Sequence, residues 1–147
     1  MGTDPDVIQV TPIGYVRSRF AGYAPSDEMR EQPSEIVVHP DFADGVMGLE
    51  PGDRILTLFV LHRARARGYE LRLHPGHNPE NPIRGVFATR SQYRPNFIGA
   101  TVALVGSVGI DEDTEEAIIS VTELDAQDGS PVIDIKRHSA GFDGIIE

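Results

Sequence analysis

The stretch Gly85-Val86-Phe87-Ala88-Thr89-Arg90-Ser91-Gln92-Tyr93-Arg94-Pro95-Asn96-Phe97-Ile98-Gly99 decides how the chain is read. It is apolar from Val86 to Ala88, which reads as a short strand, and turns polar at Thr89. Thr89 and Ser91 bring hydroxyls, Arg90 and Arg94 bring two guanidinium forks, and Pro95-Asn96 adds a fixed φ and an amide. Ile98 and Gly99 then open another apolar strand. A hairpin connection is ordinarily about two to five residues with Asn-Gly or Asp-Gly at its tip. This connection is longer, lacks that tip, and carries two arginines able to pair bidentately with carboxylate or phosphate. Residue types alone leave two readings, a surface loop laced with salt bridges and a binding loop.

Around this stretch the composition sets bounds. With 147 residues and 39% hydrophobic content, the chain is expected to be one domain, 1–147, with a full core. The longest apolar run, Ile55 to Leu61, is too short to span a membrane. Met1 to Asp6 is acidic and has no apolar segment of a signal peptide, and Asp6 stands where a myristoylation motif needs Ser or Thr. A cytoplasmic location is expected. The absence of cysteine excludes disulfides, zinc–thiolate sites and thiol catalysis. A net charge of −10 argues against a broad, non-specific nucleic-acid surface but leaves room for a local basic patch. All positive side chains except Lys136 are arginine.

The remaining segments read as short strands joined by long loops. Val7 to Arg17 is expected as a first strand, with Pro12 placing it at an edge or bulge. Residues 18–33 read as a long lid or binding loop, and Glu35 to His39 as a strand. Pro40 to Leu49 reads as a turn or one helical turn. Ile55 to Leu61 is apolar on both faces, hence a strand covered on both sides, running into His62 and the alternating Arg63, Arg65 and Arg67. In strand geometry His62 shares a face with Leu56, Leu58 and Val60, and the arginines point the other way, as a solvated face or an anion-binding ridge. Tyr69 to Leu73 is expected as a strand, and His74-x-x-His77 reads as two loop histidines, with no carboxylate at a metal-ligand spacing. In Ala100 to Ile110, Val102, Leu104, Val108 and Ile110 fall on one face, and Ala117 to Leu124 returns as the hairpin partner. Val132 to Ile135 is the last strand, and the tail 137–147 is left unassigned. The pattern predicts an all-β, small single-domain β-barrel with long functional loops and little helix.

The Gly85–Gly99 run resembles the signature Gly-Val-Phe-Ala-Thr-Arg-Ser-Pro-x-Arg-Pro-Asn-Pro-Ile-Gly of the TsaA-like proteins (TrmO, YaeB and VirR), and Leu124 to Lys136 resembles a second family segment. The resemblance covers about residues 8–136 and implies a small barrel that binds S-adenosylmethionine, forms a homodimer and methylates the threonylcarbamoyl-modified adenosine beside the tRNA anticodon. It implies a cofactor pocket from Gln32, Pro33 and Ser34, then His62 and Arg63, then Arg90 and Ala100, then Thr122, Glu123, Leu124 and Asp125. Arg94, Asn96, Asp134 and Lys136 match signature positions and stand as catalytic candidates, for acceptor contacts or for loop architecture. Gln92 and Phe97 replace family prolines, Ser34 replaces a glycine and Arg137-His138 replaces Pro-Tyr. The extra C-terminal domain of longer bacterial members is expected to be absent.

No Gly-x-Gly-x-x-Gly follows a strand, so a cofactor site must be built from loops rather than on a Rossmann turn. Methyl transfer needs alignment above all, and an amide-like nitrogen acceptor also needs a base; the carboxylates and His62 qualify. Three readings stand: a tRNA methyltransferase, the same barrel acting on another, small acceptor, and a non-enzymatic module that binds S-adenosylmethionine.

Overall fold

The structure, a computed structural model, describes residues 6–146. The acidic opening from Met1 to Pro5 lies outside them. Among the described residues eight strands form: β1 (Gly14–Arg17), β2 (Ser34–Val38), β3 (Arg54–Val60), β4 (Arg72–Leu73), β5 (Arg84–Gly85), β6 (Ile98–Ile110), β7 (Ala117–Thr122) and β8 (Pro131–Arg137). Six of them close a barrel in the order β1-β2-β7-β6-β3-β8, and β4 and β5 form a separate two-stranded sheet. Helix is confined to short pieces, α1 (Ser26–Glu31), α2 (Ala140–Asp143) and several 3₁₀ turns. The expected all-β barrel is therefore the fold.

Period-2 alternation builds the core. Ile55, Thr57 and Phe59 of β3 point inward with Ala103 and Val105 of β6, Ile119 and Val121 of β7, Ile36 and Val38 of β2, Val16 of β1 and Val132 of β8. Closure rests on the pairing of β1 with β8, Gly14 opposite Val132 and Tyr15 opposite Pro131. Gly14 is required there, because a Cβ would sit 2.0 Å from the Val37 carbonyl oxygen. Thr57 is fully buried and its hydroxyl has no hydrogen-bond partner among the described residues.

Several expectations are corrected. The first strand starts at Gly14; Val7, Ile8 and Val10 are exposed and unpaired with the barrel. Residues 18–33 hold α1, stabilised by Asp27 and Glu28 in its first turn, Arg30 in its last and the buried Met29. β3 is not covered on both sides: Leu56, Leu58 and Val60 face outward and are partly exposed. After Val60 the chain leaves strand geometry and forms a 3₁₀ turn over Ala64–Ala66, so the arginines do not alternate along a strand. Tyr69 to Leu73 keeps strand character only at Arg72–Leu73, and Val86–Ala88 is a 3₁₀ turn that buries Val86 and exposes Phe87. The face foreseen in β6 is split, because a bulge between Val105 and Ser107 shifts the register. Val102 and Leu104 lie opposite Leu56 and Arg54 on the outside, whereas Val108 packs against the core. The tail, unassigned from sequence, contains α2.

Two substitutions test this packing. Gly14→Ala is expected to lower the unfolding free energy read from urea melts by about 3 kcal/mol, because the clash is with main chain that cannot step aside. Thr57→Val, which replaces an unpartnered buried hydroxyl with a methyl of the same shape, is expected to stabilise by about 1 kcal/mol. Equal midpoints for both variants and the parent would refute the packing described.

Candidate functional site

The end of β3 and the start of β6 open into a cleft of about 1200 Å³. Its floor is Phe59, Leu61, Gly99 and Thr101, and its walls are the Thr89–Arg94 loop, the β4–β5 sheet with its loop, and α1 with Tyr23 and Ala24 before it. Gly99 is glycine for a reason of space: a Cβ would come within 2.8 Å of the Phe59 ring.

The signature loop is held by its own arginines. Arg94 Nη1 donates to the Thr89 carbonyl at 3.1 Å and to the Ser91 carbonyl at 3.2 Å. An Arg90 amino group donates to the Ala100 carbonyl, tying the loop to β6. The two forks read as candidate anion binders are thus spent partly on main-chain carbonyls. Asn96 and Phe97 both adopt left-handed backbone, at φ 67° and 51°. A proline ring cannot adopt that φ, so with Phe97 the loop takes a shape closed to the usual family residue.

α1 is strapped to the segment after β7. Glu123 N–H donates to the Arg30 carbonyl at 2.8 Å, and Arg30 Nε donates to the Glu123 carbonyl at 3.2 Å. Asp125 accepts from the Ser26 hydroxyl at 2.7 Å and from the Thr101 hydroxyl at 2.5 Å. One carboxylate therefore joins the lid helix to the cleft floor.

Of the residues expected around a cofactor, His62, Arg63, Arg90, Ala100 and Asp125 line the cleft. Gln32, Pro33 and Ser34 do not: Gln32 accepts from Arg19 at 3.0 Å, and Ser34 is buried in β2 with its hydroxyl unpartnered. Thr122 ends β7, Leu124 packs in the core, and Glu123 pairs with Arg54 at 2.5 Å. Among the catalytic candidates Arg94 lines the cleft and Asn96 sits in the adjoining turn. Asp134 and Lys136 pair with each other at 2.5 Å on β8, away from the cleft lining. The Asp134 carboxylate raises the Lys136 pKa above its ordinary value, so near neutral pH Lys136 is an ammonium and cannot take a proton. His74 and His77 have separate partners, the Asn81 carbonyl at 2.7 Å and the Tyr93 ring at 5.5 Å. Sequence reading missed Tyr23, Ser26 and Met29, whose only signal was their place in a long loop, and Thr101, which lay on the less apolar face of β6.

Charge is sharply segregated. Residues 61–110 carry seven arginines against two glutamates in a chain of net charge −10. Arg63, Arg72, Arg84, Arg90 and Arg94 line the large cleft. Among the described residues none of these five, nor Arg65, makes an ion pair, and Arg67 reaches Glu70 only at 4.0 Å. Arg137, by contrast, pairs with Asp53 at 3.5 Å at the opposite end of β3.

Residues 17–144 match the family described as the tRNA-methyltransferase O N-terminal domain. A probable S-adenosyl-L-methionine-binding protein from Pyrococcus horikoshii is 33% identical over 140 residues, covering 94% of this chain and 88% of the relative. A tRNA (adenine(37)-N6)-methyltransferase from Escherichia coli is 39% identical over 96 residues, covering 65% of this chain and 40% of the enzyme. The crystal structure of a TrmO superposes with a TM-score of 0.69 at 28% identity, over 96% of this chain and 62% of that one. The Pseudomonas aeruginosa TrmO gives 0.65 at 27% identity, over 96% and 60%.

If Asp125 is the strap, Asp125→Ala frees α1. Backbone amides of residues 26–31 are expected to exchange at least about tenfold faster while the barrel strands keep their protection. Unchanged exchange in that helix would show that the strap lies elsewhere.

Proposed function

The chain belongs to the tRNA-methyltransferase O N-terminal-domain family, and on that premise we propose that it is an S-adenosylmethionine-dependent methyltransferase acting on N6 of adenosine 37 of tRNA, the position named for the Escherichia coli relative. The observation that carries the tRNA acceptor is the run of unpaired arginines at one cleft of an otherwise acidic chain. Such a patch concentrates positive charge where phosphates must pass and leaves the rest of the surface repellent to polyanions.

The cleft suits two ligands. At about 1200 Å³ it exceeds the usual 300–1,000 Å³ of a small-molecule site, leaving room for a cofactor and a nucleoside together. His62, Arg63, Arg90, Ala100 and Asp125 are the residues we assign to holding the cofactor. Bound there, the cofactor supplies an activated methyl group on a sulfonium with a good leaving group. The protein contributes alignment in a partly dry site, so most of its effect is orientation. The acceptor nitrogen must lose a proton as it gains the methyl, and among the groups lining the cleft we assign that role to Asp125, Glu70 or His62. Lys136 and Asp134 are assigned to the outer wall rather than to catalysis.

A homodimer completes the reading. Leu56, Leu58 and Val60 of β3 join Ala100, Val102 and Leu104 of β6 in an outward, partly exposed apolar stripe. Two such stripes packed together would remove it from water. Ala100 and Val102 also line the cleft, so a second subunit would form part of its wall.

Calorimetry is expected to show one S-adenosylmethionine site per chain, weakened in Arg90→Ala. Purified protein with labelled cofactor is expected to methylate tRNA bearing adenosine at position 37 and not tRNA with another base there; no heat and no transfer would overturn the reading. The double reversal Arg65→Glu/Arg67→Glu is expected to weaken tRNA binding by about tenfold or more and to flatten its log–log salt dependence, which should run at about −0.7 to −0.9 per phosphate neutralised. Cofactor affinity should stay near that of the parent. Light scattering is expected to give a dimer for the parent and a monomer for Leu58→Glu.

A further inference from the structure

A second, smaller cleft of about 340 Å³ adjoins the first. The two share Tyr23, Arg63, His77, Gln92, Tyr93 and Gln127. Its volume lies at the low end of ligand sites, enough for one planar ring system and too small for a duplex. No carboxylate lines it.

Its chemistry is that of a base-stacking platform. The Arg67 guanidinium lies over the Tyr93 ring at 4.1 Å, and His77 meets the same ring edge-on at 5.5 Å, giving a rigid cationic and aromatic floor. Tyr23, by contrast, is 81% exposed and has no aromatic or cationic partner among the described residues. The Gln92 and Gln127 side-chain amides make no hydrogen bond among the described residues, leaving donors and acceptors of both kinds available. An aromatic face, a guanidinium plane and free amides are what single-stranded RNA needs, because unstacked bases offer a π-face and an unpaired edge together.

We propose that this second cleft seats the nucleobase next to the acceptor nucleotide, stacked on Tyr23 above the Arg67–Tyr93–His77 floor, with its edge read by Gln92 and Gln127. The proposal rests on the reading of the chain as a tRNA methyltransferase and adds how its substrate is gripped. Because the clefts share a wall, a nucleotide covalently adjacent to the acceptor in the larger can reach the smaller. Gln92 is then a specificity position, since the amide stands where a proline would offer neither donor nor acceptor.

The test uses the full chain with an anticodon stem-loop RNA carrying 2-aminopurine at one or the other nucleotide flanking the acceptor adenosine. Binding to the parent is expected to change the fluorescence at one flanking position and not at both. Tyr23→Ala and Gln92→Ala are expected to abolish that change and to weaken the RNA by at least about fivefold, as loss of one stacked base does. Tyr23→Phe, which keeps the ring, should bind as the parent. Far-ultraviolet circular dichroism and thermal melting of every variant confirm that each remains folded. If the parent methylates tRNA but Tyr23→Ala and Gln92→Ala bind the stem-loop as tightly as the parent, the stacking site is overturned and the enzymatic reading stands. If Tyr23→Phe loses as much as Tyr23→Ala, stacking is overturned as the cause. If the parent neither binds the stem-loop nor methylates tRNA, the enzymatic reading falls and the stacking site with it.

Discussion

At Gly14 the barrel closes through a space with no room for a side chain. β1 is four residues long and must pair with β2 on one side and β8 on the other, and the Val37 carbonyl occupies the position a Cβ would take. Without that seam the sheet would be an open ribbon with two bare edges, which proteins avoid. With it, β3 is surrounded by β6 and β8, and its C-terminal end is fixed where the cleft begins. Phe59 is placed by the pairing of β3 with β6 and β8, and Leu61 just beyond the strand is held by its N–H donating to the Phe97 carbonyl of the signature loop at 2.8 Å.

On this frame the cleft is assembled from irregular pieces, and irregular backbone must find its hydrogen bonds locally. That explains the use of Arg90 and Arg94 on carbonyls of their own loop and of β6. It also explains why Asp125 is placed between Ser26 and Thr101, where one charged acceptor satisfies hydroxyls from two elements. The signature loop is tied to itself and to β6, whereas α1 buries only Met29 and is held by its polar bonds to the segment after β7. A helix of that kind suits a wall that must admit and release a bulky substrate.

The electrostatic layout solves a problem posed by net charge. A strongly acidic chain repels RNA at long range unless its positive groups are collected. Here the cleft lining holds two carboxylates, Glu70 and Asp125, against six arginines, Arg30, Arg63, Arg72, Arg84, Arg90 and Arg94, and among the described residues the arginines of residues 61–110 stay without carboxylate partners apart from the long Arg67–Glu70 contact. Besides that contact, the pairs among the described residues are Arg17 with Glu35, Arg54 with Glu123, Lys136 with Asp134 and Arg137 with Asp53, and none of them takes up an arginine of the large cleft.

The sequence by itself determined the class of fold and the family. The apolar runs Ile55–Leu61 and Ala117–Leu124, turn residues between short strands and the long signature are local facts that no tertiary contact needs to supply, whereas which face of β3 is buried was decided by the barrel. It did not determine where the Arg63–Arg67 segment would turn, because the same residues alternate in a strand and coil in a 3₁₀ turn, and only the end of β3 at the barrel rim selects between them. It did not reveal that β6 changes face, since a bulge at Gly106 is a matter of pairing with β7. The helix in residues 26–31 was illegible for the same reason: six residues with one apolar anchor have too little pattern of their own, and α1 exists because Glu123 and Asp125 are brought beside it. Membership of the family was thus written in consecutive residues, whereas the shape of the cleft depended on residues about a hundred positions apart, Ser26 and Asp125, which meet only when the barrel closes.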